Sequence, residues 1–204
     1  MTWGILENPA AAAVFSAVLV AYLAVEASVE WRSRRSIASS SASSADADSG
    51  SKRALGLLTA VGVALGFAAH GSVPDAAFGT GSGAWAAFAA GVLLLVAAAA
   101  GRAWAVRTLG RWFTTSVRTD AGQPVIQDGP YRWVRHPSYT AMLLAFAGIG
   151  LCLGNALTAV CFALFPLLGL LVRIRVEERA RLARLGEAYA GYSASRRRLI
   201  PGVW

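Results

Sequence analysis

Residues Ala84 to Val106 read AWAAFAAGVLLLVAAAAGRAWAV, and Arg102 is the single charge among them. A helix that crosses the hydrocarbon layer needs about 20 mainly apolar residues, so this run is long enough to span a membrane. Four other apolar runs accompany it: Ala10 to Val29, Ala54 to Ala69, Ser138 to Leu153 and Ala156 to Val172. In chain order the second, fourth and fifth of the five are short and must borrow residues from their flanks or sit where the layer is thin. With 56% hydrophobic residues, mean hydropathy +0.51 and net charge +8, the chain is too apolar for an ordinary soluble domain. The expected fold class is an all-α integral membrane protein with five transmembrane helices.

Charge sets the expected topology. Arg32, Arg34, Arg35, Lys52 and Arg53 follow the first run, and Arg102, Arg107, Arg111, Arg118, Arg132 and Arg135 gather around the end of the third and the loop after it. The remaining basic residues, Arg173 through Arg198, follow the fifth run, whereas the N-terminus, the loop from His70 to Gly83 and the Gly154-Asn155 turn hold no Lys or Arg. By the positive-inside rule the basic side is cytoplasmic, which predicts an external N-terminus and a cytoplasmic C-terminus. Met1 to Val29 has no basic n-region and runs on into Glu30, so it reads as a retained span rather than a cleaved signal. Ser36 to Ser51 is a Ser/Ala/Asp linker too polar to order itself, expected as a mobile cytoplasmic loop. Small-residue runs such as Ala97 to Gly101 suit close helix packing in lipid.

Directly before the fourth apolar run lies Gly129 to Tyr139, GPYRWVRHPSY. Proline fixes φ, removes a donor and biases its predecessor away from helix, so Asp128-Gly129-Pro130 and His136-Pro137 mark two turns. The segment predicts a shaped loop with Pro137 in the first turn of the next helix. Arg, Tyr and Trp at a membrane boundary serve as interfacial anchors or as the wall of a site, and composition leaves both readings open.

A second polar constellation follows the fifth run. Val172 to Tyr192, VRIRVEERARLARLGEAYAGY, reads as the last span continuing into the cytoplasm as a polar helix. Arg173 and Glu177 share a face, as do Arg175 and Arg179, and local pairing of Glu177 and Glu178 is expected to limit repulsion. An Arg-rich juxtamembrane helix that meets anionic headgroups is the plainer reading.

Other chemistry has little support. Cys152 and Cys161 lie in apolar runs without neighbouring His or carboxylate and read as packing residues rather than a metal or redox pair. His70 reads as a loop histidine, and no phosphate loop, zinc spacing or Ser-His-Asp signature occurs. Neither a metal nor a nucleic-acid partner is expected.

Taken together, GPYRWVRHPSY, an apolar hairpin, RIRVEERARLARLGEAYAGY and the terminal LIPGVW resemble the isoprenylcysteine carboxyl methyltransferase family and, more loosely, the phospholipid methyltransferases. The resemblance covers about residues 107 to 204, and it divides the chain into an N-terminal three-span region, residues 1 to 106, and a methyltransferase core. It implies S-adenosylmethionine as cofactor, held by Gln123, Pro124, Val125 and Ile126, then Tyr131, Arg135, His136, Pro137, Ser138 and Tyr139, with Glu177 on the C-terminal helix. It also implies Arg173 as the catalytic, acceptor-side residue. Gln123 stands where family members often have His, and Ala141 where a glycine-containing form of the RHPxY motif has Gly.

The implied acceptor is lipophilic and enters from the bilayer, an isoprenylcysteine-like carboxylate in the first instance. A carboxylate with a pKa of about 3.5 is already the nucleophile at neutral pH and needs no general base. What remains for the enzyme is in-line positioning in a dry site. Two alternatives stand beside this: an N- or S-methyltransferase acting on a lipid or small amphiphile, and a non-catalytic membrane scaffold or transporter subunit.

Overall fold

The computed structural model describes residues 4–39, 50–79, 81–115 and 123–204. They form five helices: α1 Pro9–Ser39, α2 Ser51–Ser72, α3 Ser82–Leu109, α4 Pro137–Cys152 and α5 Ala156–Ser195. Short 3-10 turns precede α1 and follow α2 and α3, and another, Gly129–Arg132, leads toward α4. Among the described residues the β pairing amounts to two isolated bridges, Ala77 with Asn155 and Val134 with Arg197.

Every expected apolar run is a helix, and four of the five are long and apolar enough to cross a membrane. The exception is α4, whose 16 residues fall short of that length. Its bounds have local causes. Pro137 occupies the first helical position, where its missing N–H leaves no bond unmade, and Gly154, at φ 77°, turns the chain into α5.

Three boundaries differ from expectation. Helix α1 continues ten residues past Val29 to Ser39, so the start of the expected linker is helical; residues 40–49 lie outside the described residues, as does Arg118. Helix α2 begins at Ser51, immediately after Gly50 at φ 78°. His70 is in the last turn of α2 rather than in a loop, because the helix runs to Ser72.

Helix α5 is the expected span continued into a polar helix, 40 residues in all, with Pro166 buried inside it and a break at Gly186, φ 54° and ψ −131°. Only glycine adopts that backbone without strain, so the break is set by residue type.

Packing pairs α2 with α5, α3 with both α1 and α4, and α4 with α5. Small residues let these backbones touch: a Cβ on Gly91 would lie 2.6 Å from the Cys152 sulfur and 2.7 Å from the Gly148 carbonyl oxygen. Cys152 is accordingly a packing residue, 1% exposed. Val20, Leu57 and Leu93 face outward, each more than 60% exposed, as a lipid-facing surface requires.

The two ends of the bundle differ in kind. At the end without Lys or Arg, Phe78 N donates to Gly154 O at 2.9 Å, and Asn155 both caps α5 and donates to Val73 O at 3.1 Å. At the other end, the later part of α1, the start of α2, the end of α3, the start of α4 and the middle of α5 bring the charged residues together around a cavity.

Candidate active site

The polar extension of α5 begins at Arg173, after the apolar run ends at Val172. Arg173, Glu177 and Arg181 recur every four residues, so one face of the helix presents alternating charge. Opposite stands the start of α4, whose first turn holds Ser138 and Tyr139. Between them is a cavity of about 970 Å³, open mouth included, to which Tyr131, Arg135, His136, Ser138, Tyr139, Arg173 and Glu177 all contribute.

Tyr139 links the two helices. Its hydroxyl donates to Glu177 Oε2 at 2.7 Å and accepts from Arg173 Nε at 2.9 Å. Arg181 closes on the other Glu177 oxygen, Oε1. His136 stacks on Tyr139 with ring centroids 5.4 Å apart and planes 7° from parallel. Burial alone would raise the Glu177 carboxyl, but the Arg181 charge, followed by His136, the Tyr139 hydrogen bond and Arg173, overrides it and holds the group at about 2. Glu177 is therefore a fixed anion in the cavity wall. Burial pushes the Tyr131 hydroxyl up, so that ring stays neutral.

Arg173 is 3% exposed, and its guanidinium also donates to Ser51 Oγ at 3.3 Å and to the Thr115 carbonyl. Thr115 is held in turn by Ser33 of α1, whose Oγ accepts from Thr115 N at 2.8 Å. Thus α1, α2 and the segment after α3 all help fix the arginine.

A smaller cavity adjoins the first. Pro124, Val125 and Ile126 line it with Leu185, Tyr189 and Tyr192 of α5, and both cavities share Leu109, Gln123, Tyr131 and Arg181. The Tyr189 hydroxyl is buried and has no hydrogen-bond partner among the described residues.

Of the residues named from the sequence, Pro137 lines neither cavity; it is buried at the start of α4. Arg135 borders the larger cavity, yet one of its Nη atoms is committed to Glu178 Oε1 at 2.9 Å. The two glutamates are not paired only locally: Glu177 meets Arg181 one turn on, but Glu178 reaches Arg135, His136 and Arg198. Ala141 is 3% exposed, and its Cβ lies 3.7 Å from where Gly101 would carry one, so the extra methyl packs against a glycine.

Sequence reasoning missed the contribution of the first two helices. Glu26, Val29 and Glu30 of α1 and Lys52 and Leu55 of α2 also line the larger cavity. Arg102 of α3, 6% exposed, is clamped by both Glu26 oxygens at 2.7 and 3.0 Å and donates to Ser138 Oγ. Nothing local in sequence signals a pair 76 residues apart; the isolated Arg102 in an apolar run was the available sign.

Residues 91–183 match the model of the isoprenylcysteine carboxyl methyltransferase (ICMT) family. This segment, just under half of the chain, is similar to that family. It contains most of α3, the polar segment, α4 and the α5 face that carries Arg173, Glu177 and Arg181. Among curated proteins, the chain is 34% identical over 79 residues to "Uncharacterized protein YpbQ" of Bacillus subtilis, covering 39% of this chain and 47% of that one. It is 31% identical over 94 residues to "Protein-S-isoprenylcysteine O-methyltransferase B" of Arabidopsis thaliana, covering 45% of this chain and 48% of that one. The match spans about half the length of each relative.

Proposed function

We propose that this chain is an S-adenosylmethionine-dependent methyltransferase that carboxyl-methylates a lipophilic, isoprenylcysteine-like acceptor at the cytoplasmic face of a membrane. The observation that carries the proposal is the convergence of Tyr139 and His136 with Arg173 and Glu177 on one cavity, inside the ICMT-family segment. The match to that family's model and the likeness to a plant isoprenylcysteine methyltransferase support the reaction class.

The wall chemistry fits the cofactor. The ionised Glu177 suits its ammonium or ribose hydroxyls, and the Tyr131 and Tyr139 rings suit a sulfonium or a flat heterocycle. Gln123 to Ile126 with Tyr189, whose buried hydroxyl still lacks a partner among the described residues, suit the base. When bound, the cofactor supplies a methyl group on a permanently cationic sulfur, an electrophile that needs no metal.

The chain's own residues then have positional tasks. Arg173 orients the acceptor carboxylate, and Tyr139, Ser51 and Thr115 hold its guanidinium in place. The carboxylate is ionised at neutral pH, so no residue need act as base. Enclosure by α1, α2 and Phe113 limits water around the reacting charges. In this reading α4 also crosses the layer and completes a set of five spans, its short length met by local thinning, and the basic end of the bundle is cytoplasmic.

The test is transfer of radiolabelled methyl from the cofactor to an S-prenylated cysteine by protein in lipid nanodiscs. Base-labile label, released as methanol, is the expected product. Base-stable label would instead assign an N- or S-methyltransferase; an amine acceptor would be repelled by Arg173, so Arg173→Gln would raise rather than abolish its rate. No label on any amphiphile, with no cofactor binding, would leave a scaffold or transporter subunit.

A further inference from the structure

Glu178 lines neither cavity, yet it is 7% exposed and gathers three cationic or titratable partners. Its Oε1 meets Arg135 Nη1 at 2.9 Å and His136 Nε2 at 3.2 Å, and its Oε2 meets Arg198 Nε at 3.0 Å. Arg198 belongs to the segment after α5, outside the family-matched residues 91–183. That segment runs alongside the polar loop: Val134 bridges Arg197 in parallel, Arg135 N donates to Arg197 O at 2.8 Å, and His136 N donates to Arg198 O at 3.0 Å. Thr140 Oγ1 donates to Leu199 O at 2.8 Å.

We infer that Glu178 and Arg198 are positioning residues for cofactor binding, acting through Arg135 and His136 by strapping the segment 197–199 to the loop before α4. This rests on the function proposed above. The physical need is specific. His136 precedes Pro137 and is therefore held out of the helix, so its N–H and that of Arg135 require acceptors at a membrane boundary. The strap supplies both. With the backbone fixed, Glu178 holds the His136 ring by Nε2, the ring stacks on Tyr139, and Tyr139 bonds Glu177 in the cavity wall. A displaced strap would be felt first by the cofactor-facing residues, whereas Arg173, although it also bonds Tyr139, keeps its links to Ser51 and Thr115 on the acceptor side.

The test uses the full chain and titrates S-adenosylhomocysteine by calorimetry, alongside steady-state kinetics with both substrates. Arg198→Ala is expected to weaken binding and raise the cofactor KM roughly tenfold, with acceptor KM unchanged, as loss of a supporting contact does at other sites. Arg198→Lys should recover most of the loss, because an ammonium still meets Glu178. Thr140→Val removes a strap contact without altering charge and should shift the same constants in the same direction, which keeps the test decisive where Arg198→Ala folds poorly. Wild-type affinity in Arg198→Ala and Thr140→Val, or a parallel change in both KM values and kcat, would overturn the inference while leaving the proposed function standing. Failure of the wild-type protein itself to bind would overturn both.

Discussion

Tyr139 and Glu177, 38 residues apart in the chain, are joined by a 2.7 Å hydrogen bond from phenol to carboxylate. The same phenol oxygen accepts from Arg173. One hydroxyl therefore ties Arg173 to Glu177, the proposed acceptor-side and cofactor-side groups, and both helices meet at it.

Tyr139→Phe tests that junction by keeping the ring and deleting the oxygen. Arg173 Nε loses this acceptor and Glu177 a donor, which should lower stability by about 1–3 kcal/mol. Turnover should fall more than cofactor affinity, because the ring's stacking on His136 is kept. Thermal unfolding and single-turnover rates would check this; an unchanged rate would deny the junction a role.

Glu177→Gln and Arg173→Ala should separate the two substrates. The first neutralises the anion in the cavity wall and should weaken cofactor binding roughly tenfold or more. The second should leave cofactor affinity near wild type and abolish methylation of a carboxylate acceptor. Calorimetry paired with the methyl-release assay reads both. Equal loss of cofactor binding in the two variants would contradict the division of roles.

Acid should unfold the protein through the same carboxylates. Glu177 is held at about 2 in the folded chain against an ordinary 4.5, and Glu178 is also lowered, its burial outweighed by the His136 hydrogen bond and charge, then by Arg135. A depressed folded value means stability fully present above 4.5 and lost as pH falls toward about 2. The thermal midpoint in detergent should drop across that window, and the drop should be smaller in Glu177→Gln. An equal drop in the variant would remove Glu177 from the explanation.

Glu26→Ala should be among the most damaging changes outside the family-matched segment. It would leave Arg102, whose side chain is 8% exposed, without its bidentate partner, and breaking such a pair costs about 3–5 kcal/mol. The expected sign is a large fall in the thermal midpoint, partly rescued by converting Arg102 to Met in the same chain. A midpoint within a degree or two of wild type would show that the pair is solvated.

How far the sequence was legible depends on the range of the interaction. All five helices were readable because hydrophobic runs are local, and Pro137 marked the start of α4 for the same reason. Tyr139, His136, Arg173 and Glu177 were reached through a family resemblance, and their meeting at one cavity depends on α4 packing against α5. The Glu26–Arg102 clamp and the hold of Ser51 and Ser33 on the Arg173 surroundings join residues far apart in sequence, so no periodicity announces them. The break at Gly186 was hidden in a helical pattern, since glycine's φ 54° leaves no trace in neighbouring side chains.

Gly91→Ala examines the close approach of α3 and α4 that positions Ser138 and Tyr139. Its new methyl would lie 2.6 Å from Cys152 Sγ and 2.7 Å from a backbone oxygen, so the helices must separate. Overpacking of this kind costs about 1–3 kcal/mol. Gly83→Ala, with nothing within 4 Å, is the matched control and should unfold like wild type. Identical midpoints for both variants would argue against the packed α3–α4 contact.

The cavity between the start of α4 and the middle of α5 is the proposed binding site for S-adenosylmethionine. Calorimetric titration of well-folded, purified protein with S-adenosylhomocysteine tests it most directly. Saturable binding at one site per chain, weakened by Glu177→Gln and by His136→Ala, is the expected result. Absence of saturable heat from protein that unfolds cooperatively would contradict it.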